Sequence, residues 1–386
     1  MHPIYLDHAA TTPVRAEVRA AMEPFLDRTF GNPSSLHRWG REAAAALAEA
    51  RAACAATLGA RFSEIHFVRG GTESDNLAIQ GRATRLRADG HTPTVAVSTV
   101  EHAAVLGAAD HATARGAGRM VSIPVAEDGS LDQDRLAHAL AEPPALVSIM
   151  WVNNETGMVL PVEEVAARCR ATGATFHTDA VQAVGKMPVR VDEVPVDLLT
   201  ATGHKLQGPK GTGLLFCREG TYLSPLLHGG GQERALRPGT EDVAGAVGLA
   251  TALRLAVEER EAEAERLGAL RARLEGELAT RIAGMRVNGG RAPRAPHIAS
   301  ISVPGVDSTS LLMALDLEGV AVSGGAACHT GASSGSHVLA ALYGAGDPHA
   351  TVRFSLGAST TAEDVIRAAG VTASVVERLR ALESGA

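Results

Sequence analysis

Val196-Asp197-Leu198-Leu199-Thr200-Ala201 reads as a short buried strand, and it runs straight into Thr202-Gly203-His204-Lys205 and the turn signal Gly208-Pro209-Lys210-Gly211. About 25 positions upstream, Thr175-Phe176-His177-Thr178-Asp179-Ala180 is a second apolar, β-branched run with an aspartate at its C-terminal end, and Gln182 lies just beyond it. Open α/β sheets bind ligands at the carboxyl ends of their strands. The two runs therefore deliver an amine, an acid and a hydroxyl to one sheet edge.

The surrounding chain has the pattern such a sheet requires. From about residue 15 to residue 256, helical stretches alternate with β-rich runs such as Ile65-His66-Phe67-Val68, Thr94-Val95-Ala96-Val97-Ser98 and Leu146-Val147-Ser148-Ile149-Met150. That alternation predicts an α/β domain with a mostly parallel sheet covered on both faces. The charged segment 257–283, with Leu267, Leu270, Leu274 and Leu278 at helical spacing, predicts a helix leading out of it. A strand over 297–303, a helix over 307–318, a small-residue loop and a strand over 351–356 follow. Residues 1–14 and 257–386 are read together as a smaller α+β domain.

A lysine, a strand-end acid and phosphate donors are the parts an enzyme needs to hold pyridoxal phosphate, attached as a Schiff base. The phosphate has its own candidate in Arg69-Gly70-Gly71-Thr72-Glu73-Ser74-Asp75-Asn76, between a strand and a helical run. Glycines let the backbone approach an anion, and the first amides of the helix point at it, with Gly71 and Thr72 as donors. Neither G-x-x-x-x-G-K-S/T nor a strand-linked G-x-G-x-x-G is present, which disfavours a nucleotide.

Composition narrows the class further. With 386 residues, 45% of them hydrophobic, the chain is long enough for two or three domains and a large core. A formal charge of −7 leaves no electrostatic footprint for nucleic acid. No basic and apolar leader opens the chain and no run reaches the length of a membrane span, so the expectation is a cytoplasmic protein without nucleic-acid or membrane partners. Cys54, Cys169, Cys217 and Cys328 lack paired metal spacing, so no resident metal is expected. The first three lie in helical or strand-like runs and read as small buried apolar residues. Cys328 lies instead in Ser323-Gly324-Gly325-Ala326-Ala327-Cys328-His329-Thr330-Gly331-Ala332-Ser333-Ser334-Gly335-Ser336, a loop composition in which a thiol can reach a substrate and His329 favours the thiolate.

The motifs Tyr5-Leu6-Asp7-His8-Ala9-Ala10-Thr11-Thr12-Pro13, Phe30-Gly31-Asn32-Pro33-Ser34-Ser35, Gly71-Thr72-Glu73-Ser74-Asp75-Asn76, Glu101-His102, Val152-Asn153-Asn154-Glu155, His204-Lys205 and Ala326-Ala327-Cys328 resemble those of the NifS/IscS-type cysteine desulfurases. These are fold-type I pyridoxal phosphate transferases of the class V aminotransferase group. The resemblance runs in order from residue 4 to about residue 360.

It implies that Lys205 bonds the cofactor and later moves the substrate Cα proton. Asp179 would pair with the pyridine nitrogen, Gln182 would contact the phenolic oxygen, and His102 would stack on the ring and assist proton transfer. Gly71, Thr72, Thr202 and His204 would hold the phosphate, joined by Thr240 of a neighbouring subunit in a homodimer. Asn154 and Arg353, with Asn32, would take the carboxylate of L-cysteine. Cys328 would attack the substrate sulfur, leaving alanine and a persulfide for acceptor proteins such as an iron–sulfur scaffold, with Cys328 a transient iron–sulfur ligand. Ala326-Ala327-Cys328-His329 is equally similar to selenocysteine lyases, so selenium stays open as the transferred atom. Another lyase or an aminotransferase on the same fold is the remaining alternative.

Overall fold

The computed structural model describes residues 2–141, 145–324 and 335–383. Cys328 therefore lies outside the described residues. Strand β1 (Ile4–Tyr5) opens the chain, and β2 (Ile65–Val68), β3 (Thr94–Ser98), β4 (Arg119–Ile123), β5 (Ala145–Ser148), β6 (Thr175–Asp179), β7 (Leu198–Thr202) and β8 (Gly213–Cys217) follow. Those seven form one sheet in the order β2-β8-β7-β6-β5-β3-β4. Its pairs are parallel except around β8, which runs antiparallel to both β7 and β2. Helices cover both faces, so nearly every strand residue is buried and the strands read as continuous apolar runs.

The helix Arg38–Leu58 shows how local sequence builds this layer. Ala43, Leu47, Ala50, Arg51, Cys54, Ala55 and Leu58 recur at helical spacing and form its buried stripe. Gly59, at φ +73°, ends it in the left-handed conformation that L side chains avoid. Cys54, Cys169 and Cys217 are buried, and burial pushes each thiol up to about 12, which leaves them inert.

A second hydrophobic core gathers around β9 (Arg286–Val287), β10 (Ile298–Val303), β11 (Val320–Ala321) and β12 (Ala350–Ser355). Strand β10 is the centre of an antiparallel sheet with β12 and β9, and β1 pairs with β11. The helices Arg260–Arg281, Ser308–Leu317 and Ala362–Glu383 pack on it through residues such as Leu274, Leu278, Leu315 and Val365. Two differences from the sequence reading stand out. The strand read over 146–150 spans Ala145–Ser148, and beyond its end Ile149 N–H and Trp151 N–H still bond the carbonyls of His177 and Asp179 on β6. A helix, His337–Tyr343, lies in the stretch between 336 and 351 where none was read; it is only 7 residues long, and Ser336 caps it through Leu339 N–H.

The segment 232–235 carries Glu233, Arg234 and Ala235 at φ 46°, 57° and 63°, a run of left-handed non-glycine residues that something must hold in place. Glu233 does so. Its buried carboxylate receives both terminal nitrogens of Arg51, at 2.7 and 2.6 Å, and the N–H of Phe67 at 3.0 Å. Replacing Glu233 with alanine strands a buried guanidinium and should lower stability by about 3–5 kcal/mol, read as a shift of the urea unfolding midpoint.

Candidate active site

Register sets the site. Asp179 lies opposite Thr200 on β7, and the two residues after Thr200 carry that strand past it to Thr202. The 3-10 turn Gly203–Lys205 follows immediately and places Lys205 at the same sheet edge. Lys205 Nζ donates to the carbonyl oxygens of Ala9 and Ala10 at 2.6 and 2.5 Å. The N-terminal segment is itself fastened to this turn: Thr12 N–H and Oγ1 both donate to His204 O, and Gln207 N–H donates to Thr12 Oγ1.

Around this edge opens a cavity of about 410 Å³ lined by Gly71, Thr72, His102, Asn154, Asp179, Gln182, Thr202, His204, Lys205 and Arg353. Sequence reading named all ten. A volume of this order suits a cofactor with a small substrate. Gly70, at φ +123°, precedes the helix Gly71–Ala88, and no side chain caps that helix, so its first amides stay available to an anion. A Cβ on Gly71 would come within 3.2 Å of Val181 Cγ2, tight enough to disturb the loop. His102 caps the next helix, its Nδ1 accepting from Ala104 N–H. Gln182 donates to Ala9 O and faces His297 Nε2 through its carbonyl oxygen.

Arg353, on β12, is almost wholly buried, with Nη1 on Asn154 O at 2.9 Å and Nη2 on Asp7 Oδ1 at 2.8 Å. Asn153 shapes the neighbouring turn: its side chain donates to Val100 O and accepts from Glu155 N–H, Thr156 N–H and Thr156 Oγ1. Asn32 and Thr240 stand apart on exposed turns and do not line this cavity within one chain.

Several wall residues went unread. Asp75, Glu101 and Glu155 are buried acids, and Asp75 and Glu155 line the cavity together with His337. Burial pushes the Asp75 carboxyl well up, and the charges of Asp179 and Glu101 push it further; Asp75 Oδ1 has no hydrogen-bond partner. Asp179 is raised by burial too, against the opposing pull of His102, the Val181 amide and Lys205. Burial thus favours the uncharged form of each of these acids. Beneath them His177 takes one tautomer. Thr200 spends its hydroxyl proton on Ser74, so His177 Nε2 donates to Thr200 while Nδ1 accepts from Ser148. Burial lowers His177 to about 3 and keeps it neutral. Asp75, Glu101 and Glu155 all fall inside motifs that carry the family resemblance, but the motifs assign them no role, since a buried carboxylate and a surface one look alike in sequence.

Residues 4–367 match the family Aminotransferase class-V. Cysteine desulfurase IscS of Dictyoglomus turgidum is 44% identical over 380 residues, covering 98% of this chain and 96% of its own length. Cysteine desulfurase NifS of Azotobacter vinelandii is 41% identical over 384 residues, covering 98% and 94%. A solved structure named NifS-like protein superposes with a TM-score of 0.89 at 33% identity, covering 98% of this chain and all of its own. The chain belongs to the aminotransferase class-V family of pyridoxal phosphate enzymes, and within it to the cysteine desulfurases.

Glu101 offers a pH test of the buried acids. Its Oε1 accepts from Ser98 Oγ and Met150 N–H, Oε2 has no partner, and burial lifts its pKa from 4.5 to about 8. Below about pH 4.5 the folded and unfolded chains both hold this proton. As pH rises from there towards 8, only the unfolded chain releases it, so this group's contribution to stability falls. Glu101→Gln, which mimics the protonated acid, should unfold at higher urea than the parent at pH 8, by about 2 kcal/mol, with the gap closing near pH 5.

Proposed function

We propose that this chain takes the sulfur of L-cysteine, releases L-alanine and carries the sulfur as a persulfide on Cys328 for transfer to an acceptor. One observation supports this reading above the others: both described ends of the cysteine-bearing segment are tied to the cavity wall. On one side Ser323 exchanges backbone hydrogen bonds with Arg353, at 3.2 and 2.7 Å. On the other, Ser336 Oγ donates to Glu155 Oε2, and His337 Nε2 donates to Glu101 O at 2.9 Å. A segment anchored twice beside the cavity begins and ends where a substrate sulfur would lie.

The donor set fits pyridoxal phosphate: an amine at Lys205, an acid at Asp179, and an uncapped helix start with Thr72, Thr202 and His204 for a phosphate. When bound, that cofactor supplies an electron sink for the substrate Cα and a positive ring nitrogen for the buried acids. Asp179 would pair with the ring nitrogen, Gln182 would hold the phenolic oxygen, and His102 would stack on the ring. Lys205 takes the proton from Cα and returns it to the product. Arg353 and Asn154 orient the substrate carboxylate, which competes with Asp7 for the guanidinium. Cys328, as the thiolate, attacks the substrate sulfur; the new S–S bond forms as the Cβ–S bond breaks, the pair from that bond stays with the carbon skeleton, and a proton taken up at Cβ with the one Lys205 returns to Cα completes alanine.

The same proposal takes residues 15–256 as the cofactor-binding unit and residues 1–14 with 257–386 as the unit carrying the cysteine segment. It takes the working form as a homodimer in which the exposed Thr240 completes the neighbour's phosphate site and Asn32 completes the substrate pocket. Iron–sulfur cluster assembly or thiolation in the cytoplasm is the destination of the sulfur. No helix among the described residues is long and apolar enough to cross a membrane.

Alanine and sulfide formation from L-cysteine with a reducing thiol, run in parallel with selenocysteine, tests the reading. Cys328→Ala should lower alanine formation from L-cysteine by more than about a hundredfold while leaving the cofactor absorbance intact; undiminished turnover would refute the persulfide route. Arg353→Lys keeps the charge but loses the planar fork, and should raise KM for L-cysteine by about tenfold or more with a smaller effect on kcat.

A further inference from the structure

We propose that His297 is a positioning residue for Gln182: by donating from Nε2 to the Gln182 carbonyl oxygen it fixes the amide so that one free N–H serves the cofactor cavity, where the phenolic oxygen of the ring would receive it. The inference rests on the reading of Gln182 as the residue that meets that oxygen. Donor inventory is the first support. A glutamine amide offers two N–H donors and one carbonyl oxygen. Gln182 Nε2 donates to Ala9 O at 2.9 Å, and Oε1 lies 3.2 Å from His297 Nε2. Turned round, the amide would set its oxygen against the Ala9 carbonyl, acceptor against acceptor, so the orientation is fixed. His297 Nε2 must then carry the proton. One N–H of Gln182 is left over, on a side chain that lines the cavity.

The setting of His297 is the second support. The ring is fully buried, its Nδ1 has no hydrogen-bond partner, and among the described residues its one side-chain hydrogen bond is to Gln182. A polar ring with an unmet nitrogen is costly in a core that a leucine would fill. The single contact that offsets the cost is the one to Gln182. Burial keeps the ring neutral, and Lys186 after β6, Arg353 on β12, Arg271 on the helix Arg260–Arg281 and His8 in the N-terminal segment each oppose a proton on it. A neutral imidazole has one N–H, and Gln182 takes it.

The third support is how the two partners of Gln182 are fastened. Ala9 N–H donates to Ser355 Oγ at 2.8 Å, and Leu356 N–H donates to His297 O at 2.8 Å. Ala9 and His297 thus hang on consecutive residues at the end of β12 and grip the amide by its nitrogen and its oxygen. His297 leads into β10 of the second core, whereas Gln182 follows β6 of the large sheet, 115 positions earlier. The aim of the amide is therefore set where the two cores meet.

A double-substitution cycle on the full-length protein loaded with pyridoxal phosphate tests this, with the pH midpoint of the cofactor's visible absorbance change as the readout. A donor on the phenolic oxygen draws charge from it and weakens its hold on the neighbouring proton, so losing the donor should raise that midpoint. His297→Leu should raise it by about half a pH unit or more, and His297→Gln, whose amide keeps a donor near the same place, should hold it near the parent value. In a Gln182→Ala background, His297→Leu should add nothing, because the amide through which it acts is gone. An additive shift, or an unchanged midpoint in folded His297→Leu, overturns the proposal. Should His297→Leu fail to fold, the histidine 15N spectrum of the cofactor-free parent decides: His297 should show the neutral Nε2–H form at neutral pH, and an Nδ1–H form or a charged ring overturns it. Gln182→Ala by itself separates the underlying reading: a midpoint unmoved by that substitution refutes the contact between Gln182 and the phenolic oxygen, whatever His297 does.

Discussion

A desolvated carboxylate at the end of a buried parallel strand is the constraint on which the site depends. Asp179 cannot move toward water, because β6 is hydrogen-bonded between β5 and β7 and its carboxyl is almost fully buried. Asp75 and Glu101 lie close by, and both are pushed toward their protonated forms, chiefly by burial and further by the charge of Asp179. A cofactor ring carrying a positive nitrogen relieves that crowding, so the cost of burying these groups becomes binding energy when the ring enters. The neutral His177 network beneath is the necessary complement. A charged imidazole there would neutralise the acids from below and weaken their hold on anything above.

The second constraint is how Lys205 is held. Its turn leaves the strand at once, so the strand alone does not orient it. The N-terminal segment supplies the orientation: Asp7 bridges to Ser355, Ala9 N–H bonds Ser355 Oγ, and Thr12 bonds the turn itself. One strap thereby joins the second core to the reactive lysine. Arg353 reaches from β12 to the same strap through Asp7. A substrate carboxylate that draws Arg353 from Asp7 would therefore be felt by the strap that carries the Ala9 and Ala10 carbonyls.

Much of this was legible before any fold was known. Buried parallel strands announce themselves as short apolar runs, and Asp179, Thr202 and Lys205 are readable because strand ends and the glycine-rich helix start have local signatures. The acids Asp75, Glu101 and Glu155 and the anchor Asn153 lie in recognisable motifs, yet their roles, like that of His337, were not legible, because their meaning lies in neighbours that are distant in sequence. The helix His337–Tyr343 was missed for a related reason, since a segment of two turns depends on its Ser336 cap and its packing more than on periodicity.

By itself the sequence determined the α/β alternation, the strand-end group of Asp179, Thr202, His204 and Lys205, the glycine-rich donors Gly71 and Thr72 and the buried character of three cysteines, since each follows from short-range pattern; His102, Gln182, Asn154 and Arg353 were implied only by the family resemblance. Only the tertiary structure decided that β8 runs against its neighbours, that Arg353 is already engaged by Asp7 and Asn154, and that His297 meets Gln182. Those facts depend on which surfaces meet when the chain closes. Desolvation, like-charge proximity and hydrogen-bond partnership arise only across such meetings, and no local run of residues records them.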